Sequence, residues 1–220
     1  MPAITWYATN NLASVHQEMS ETSPGAVNTT ASPTTGWIVG TTAPTVYSKF
    51  DSQVERLEST FAATPIEPDG SIDTSIGDCL RSAATYTGTF DTGDWTCTFT
   101  ARAGSSGGSQ DGRAAFRIFS GAAADGSDAV ERTTARQVGS LITDLTTTAQ
   151  QSSSVTFSVT GFSVTNQYIF VQLGWEITGA GGMSNADINM RIGDTATRTV
   201  SANFTQTAIN AYKLAAMGVG

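Results

Sequence analysis

The sequence predicts an all-β protein, an antiparallel β-sandwich of the jelly-roll type, on three observations. Charged residues make up only 14% of the 220-residue chain, well below the roughly 25% of an average soluble domain, and threonine, serine, glycine and alanine fill the difference. From Tyr86 onward apolar residues recur with a period of two, the spacing that sends alternate side chains to opposite faces of a strand. Roughly seven or eight such runs are separated by turn signals, with no fixed repeat and no helical pattern between them. A chain well over the ~100 residues of an immunoglobulin-like domain, with long connections, favours the jelly roll.

Residues 1–49 read as an extended N-terminal arm. Pro24-Gly25, Ser32-Pro33 and Ala43-Pro44 recur among Asn and Thr, and prolines at this spacing forbid a continuous helix and discourage central strands. The arm carries apolar anchors at Trp6, Tyr7, Trp37, Ile38 and Tyr47. These are expected to lie either on the arm's own domain or on a neighbouring chain, and with Tyr212 they form the candidate partner-binding set. Between Ser48 and Ala63, Val54, Leu57 and Phe61 fit a helix, while strand alternation is poor. A turn-rich connection follows through Pro65, Pro68, Asp69-Gly70 and Gly77-Asp78.

The sandwich domain is expected over residues 50–205. Trp95, Cys97, Phe99 and Ala101 form the inward face of a strand whose other face carries Thr96, Thr98, Thr100 and Arg102. The Gly/Ser-rich loop 104–112 leads to a second alternating run at 113–120, and the two read as a hairpin. Further strands are expected at 138–145, 153–159, 168–177, 187–192 and 195–204. Of these, 168–177 is the strongest. Ile169, Val171, Leu173, Trp175 and Ile177 share one face, and Tyr168 and Phe170 make the other apolar at its start, as in a strand covered on both sides near one end. In the last strand Val200, Ala202 and Phe204 are expected inward. Residues 206–220 form a C-terminal tail, a short helix or a second arm.

Composition excludes several functions. No apolar run approaches the ~20 residues of a membrane-spanning helix, and the N-terminus lacks the basic-then-apolar pattern of a secretory signal, so cytoplasmic synthesis is expected. Eleven Lys and Arg stand against 19 Asp and Glu, a net charge of -8, which leaves no basic stripe for direct nucleic-acid binding.

The supply of catalytic groups is thin. His16 is the only imidazole, so a nucleophilic triad would rest on one residue of the arm. Glu176 and Asp187 are the available carboxylate pair for a hydrolase, but Glu176 alternates onto the face opposite Ile177, where solvent exposure explains it. Cys79 and Cys97 cannot make a zinc site by themselves, and two buried thiols are favoured over one disulfide. Asp69-Gly70, Asp91 with Asp94, Asp111-Gly112 and Asp125 with Asp128 resemble calcium loops, yet their spacing suits turns better. Trp95 and Trp175 could form a sugar platform, but both fall on the core face. Gly179 to Gly182 most simply lets a long connection bend. No P-loop, dinucleotide fingerprint or zinc-protease motif is present, and no cofactor or metal is expected.

The runs Gly36-Trp37-Ile38-Val39-Gly40, Pro68-Asp69-Gly70, Tyr86-Thr87-Gly88-Thr89-Phe90, Gly93-Asp94-Trp95 and, most specifically, Tyr168 to Gly179 resemble small structural proteins of tailed-bacteriophage virions. The resemblance spans residues 36–205 and implies a β-sandwich subunit without enzymatic activity that decorates or cements a capsid or caps part of the tail. It assigns no binding residues. The expected partners are other virion proteins such as the major capsid protein, with a homo-oligomer, a trimer first, located in the virion. A carbohydrate-binding or adhesin-like module and a tail-associated structural protein are the alternatives.

Overall fold

The computed structural model describes residues 2–13, 16–23, 79–103, 109–134, 137–146, 151–181, 188–190 and 195–207. The N-terminal strands are β1 (Ala3–Ala13), β2 (His16–Ser20), β3 (Cys79–Ser82), β4 (Tyr86–Phe90), β5 (Gly93–Ala103) and β6 (Ser109–Gly121). They are followed by β7 (Val130–Glu131), β8 (Gln137–Val138), β9 (Ile142–Leu145), β10 (Gln151–Val159), β11 (Phe162–Gly181), β12 (Ile188–Met190) and β13 (Arg198–Gln206). The described part is all-β and mostly antiparallel. Among the described residues no helix is long and apolar enough to cross a membrane. The expected helical segment 48–63, the turn-rich connection 65–78 and the tail from residue 208 lie outside the described residues.

The strands run in the order β10-β5-β13-β1-β2-β3-β11-β6-β7, with β12 added to β5 and β8 and β9 added to β6. Among the described residues only β2 and β3 pair in parallel. Strand β4 pairs with both β11 and β13, so β13, β1, β2, β3, β11 and β4 form a closed hydrogen-bonded cycle. Closure leaves these six strands without a free edge, while β10 and β7 end the strand order.

The first twenty residues depart from the expected arm. Ile4, Trp6 and Ala8 alternate inward on β1, and Met19 opposite Ala8 does the same on β2. These strands sit in the middle of the sheet because they bring four apolar side chains to the core. Apart from Pro2, which precedes β1, the helix- and strand-breaking prolines of the arm begin at Pro24. Removing residues 1–47 would therefore take out two paired strands, and such a truncation tests folding before it tests assembly.

Alternation decides β5 as expected: Trp95, Cys97, Phe99 and Ala101 are all fully buried. The opposite face shows one use of the chain's threonines. Thr96, Thr98 and Thr100 stand across from Thr156, Ser154 and Ser152 of β10, and each pair is joined hydroxyl to hydroxyl at 2.8, 3.1 and 2.7 Å. Cross-strand hydroxyl pairs of this kind support a sheet without charge.

Two expectations about neighbours are corrected. Strands β5 and β6 are not a hairpin: β5 pairs with β10, β12 and β13, and β6 with β11, β7, β8 and β9. Their apolar faces, Trp95 to Ala101 and Ala114, Phe116 and Ile118, instead contribute to one core cluster. Period two reports which side chains are buried and leaves the paired strand open. On β13, Phe204 and Ala202 are buried as expected, but Ser201 and Thr199 are buried too and Val200 is half-exposed. The register against β1 shifts between Ala3 and Thr5, and this bulge moves one residue of β13 out of phase. Strand β11 runs 20 residues, longer than expected, because its start pairs with β4 and its remainder with β3 and β6. Phe170 is fully buried on the face opposite Ile169 and Val171, as expected of a strand covered on both sides.

Candidate functional site

Tyr86, Gly88 and Phe90 point inward along β4, which brings the Tyr86 ring against Trp6 of β1, edge to face at 5.7 Å. The chain leaving β2 places Glu21 beside the same phenol. Trp6 Nε1–H donates to Tyr86 Oη at 2.7 Å, and the Tyr86 hydroxyl donates to Glu21 Oε1 at 2.5 Å. The relay ends at a groove of about 510 Å³ lined by residues 2–5, Tyr7, Glu21, Ser23, residues 84–87, Phe204 and Gln206. Among the described residues of this lining Glu21 is the one carboxylate, and Lys, Arg and His are absent. The groove therefore offers the Glu21 carboxylate, hydroxyls from Thr5 and Thr85, and apolar walls from Ile4 and Phe204, while the Thr87 hydroxyl is taken by Asn166.

Burial pushes the Tyr86 phenol well above its ordinary value, and the bond to Glu21, which requires the proton, pushes it further, against a smaller opposing effect of Trp6. Burial likewise pushes the Cys97 thiol up to about 12, offset in part by the hydrogen bond from Thr199. Both groups are neutral acids whose folded pKa is raised, so the stability they contribute is complete below the ordinary thiol and phenol pKa values. It is lost as pH rises above them, because the unfolded chain releases the protons first. The unfolding free energy from urea titration is expected to fall at about 1.4 kcal/mol per pH unit for each group, from about pH 9 upward for the thiol and about pH 10 upward for the phenol. Tyr86→Phe should flatten the part of that slope above about pH 10. An unchanged slope in the variant would show that Tyr86 does not carry it.

The predicted residues are placed as follows. Trp6 is 1% exposed, so of the two surroundings open to it, its own domain is the one it occupies, and its ring is not offered to a partner. Tyr7 is half-buried at the groove. Trp37, Ile38, Tyr47 and Tyr212 lie outside the described residues. Glu176 pairs in register with Arg113, and Asp187 lies outside the described residues. Cys97 is a free, buried thiol. Trp95 is fully buried in the core.

Of the aspartates, Asp125 and Asp128 are occupied by a turn, and Asp69 lies outside the described residues. Asp128 accepts the amides of Ala122 and Ala123 at 2.9 Å with its two oxygens, and Asp125 accepts from Ser127. Asp111 accepts the amide of Asp144 at 2.8 Å, holding that residue at a φ of 54°. Asp91 and Asp94 border a depression of about 280 Å³, and among the described residues no three His, Cys, Asp or Glu side chains group as metal ligands. Asp128→Ala frees two amides of the turn and is expected to cost about 1–2 kcal/mol in thermal or urea unfolding. Asp128→Asn, which keeps one acceptor, should cost less. Glu21 and Tyr86 were missed by sequence reasoning because 65 positions separate them and neither belongs to a motif.

No protein-family model matches the chain, and no curated protein matches it. Among solved structures, the chain is similar to an alpha-amino acid ester hydrolase labelled with selenomethionine, at 12% identity and a TM-score of 0.37. The match covers 58% of this chain and spans a quarter, 25%, of that one.

Proposed function

We propose that the chain is a non-enzymatic structural subunit of a tailed-phage virion, a decoration or cement protein that binds and stabilises the capsid lattice. In this reading the body is a jelly-roll sandwich, supported by the shared core of β5, β6 and β11. The observation that carries the reading is how polar side chains are used. Tyr86, Asp128, Asp111 and the Thr/Ser pairs of β5 and β10 are tied into the scaffold, which suits a rigid subunit whose task is to hold a lattice together. The resemblance of residues 168–179 and the shorter runs to virion proteins adds to it. The partner would be the major capsid protein, the assembly a homo-oligomer, and the location the virion.

The test mixes the full chain with purified heads of the phage that encodes it and sediments them. Saturable binding at a fixed stoichiometry, with a rise in the temperature at which heads release DNA, is the expected result. Heads that pellet without the chain at every concentration, together with purified virions that lack it by mass spectrometry, overturn the proposal.

A further inference from the structure

A carboxylate fixed at the wall of a groove attracts cations, and the described residues lining the groove at Tyr86 bring none of their own. Glu21 is exposed, yet its Oε1 is committed to Tyr86, whose oxygen is held from behind by Trp6. Trp6 and Tyr86 are both buried. The carboxylate is thus oriented before any partner arrives, and such preorganisation lowers the cost of binding. The same groove is lined by the apolar side chains of Ile4 and Phe204 and by Thr85. Apolar side chains and an oriented carboxylate in one groove match a side chain with an aliphatic stem and a cationic head.

From this juxtaposition we infer that the groove docks a lysine or arginine side chain presented by a partner protein. Charge complementarity selects that occupant: a net charge of -8 draws a basic segment toward the chain and repels an acidic one. The inference goes beyond the virion reading and does not depend on it, because it states the chemistry of a contact whatever the assembly. Head sedimentation and the titration below can therefore fail separately.

The experiment titrates the ¹⁵N-labelled full chain with Nα-acetyl-lysine methylamide and Nα-acetyl-arginine methylamide. Nα-acetyl-norleucine methylamide and chitotriose serve as neutral probes. Saturable shifts at the amides of Thr5, Thr85 and Thr87 are expected with the cationic probes. Affinity should fall about three- to tenfold in Glu21→Gln, a variant that keeps an acceptor for Tyr86. Raising NaCl from about 50 to about 500 mM should weaken binding to the unaltered chain, a readout that does not require the variant to fold. Equal binding of norleucine, undiminished affinity in Glu21→Gln, saturation by chitotriose alone, or no saturable shift at these amides each overturns the inference.

Discussion

Phe90→Ala is expected to lower stability by about 3–5 kcal/mol, the range for truncating a fully buried aromatic ring. Phe90 is 0% exposed and occupies the point where three strands meet, opposite Phe162 of β11 and Phe204 of β13 in the two ladders of β4. Its ring lies 4.5 Å from Phe204, 5.0 Å from Phe162, 5.3 Å from Trp95, 6.2 Å from Trp6 and 6.3 Å from Tyr86. Removing it deletes contacts with five aromatic neighbours at once, and rigid strands on each side limit how far the cavity can collapse. Since natural domains are stable by only about 5–15 kcal/mol, the loss would leave the fold marginal. Urea unfolding of Phe90→Ala beside Val130→Ala, whose side chain is 53% exposed, measures it. The surface change should stay within about 0.5 kcal/mol. A Phe90→Ala loss below about 1 kcal/mol would mean that this aromatic cluster does not organise the core.

What the sequence revealed follows from how far each determinant reaches along the chain. The inward quartet of β5 and the buried Ile169, Val171 and Leu173 of β11 were legible because burial of a strand face is written in neighbouring residues. Which strand lies beside β5 was not, because pairing with β10 and β13 joins residues far apart and any face of period two fits many partners. The bulge that turns Val200 outward has no local signature in Thr-Val-Ser-Ala. Strand β1 was visible in principle, since Ile4, Trp6 and Ala8 alternate, but the prolines from Pro24 onward coloured the whole segment. The site at Glu21 and Tyr86 was the least legible. A tyrosine in an alternating run reads as core, and nothing near it in sequence announces a carboxylate waiting at its hydroxyl.

The second large effect is expected at a position with no side chain. Gly88 lies between Tyr86 and Phe90 on the inward face of β4, where a methyl group would stand 2.3 Å from the carbonyl oxygen of Thr205, 2.7 Å from Phe204 Cζ and 2.9 Å from the Cα of Gln206. Two of these atoms are backbone, so a rotamer change cannot relieve the clash. Either β13 moves away, breaking the ladder that sets Thr89 against Thr205 and Gly88 against Gln206, or the Phe204 ring leaves Phe90 and Tyr86. Gly88→Ala should therefore cost about 3 kcal/mol, the upper part of the usual range for overpacking. Gly93→Ala is the control, since a methyl there meets only the Cβ of Ala202 at 3.2 Å and a small shift accommodates it. The location of the damage distinguishes strain from general loosening. If β4 closes the cycle, Gly88→Ala should speed hydrogen exchange first at Thr205 and at Thr207, whose amide bonds the Thr87 carbonyl at 3.0 Å, while β5 and β10 stay protected. Opening that seam also exposes two strand edges, so the variant should self-associate as concentration rises. Uniform exchange across all strands, or stability equal to that of Gly93→Ala, would show that β13 yields freely and that the closure at β4 contributes little to holding the fold.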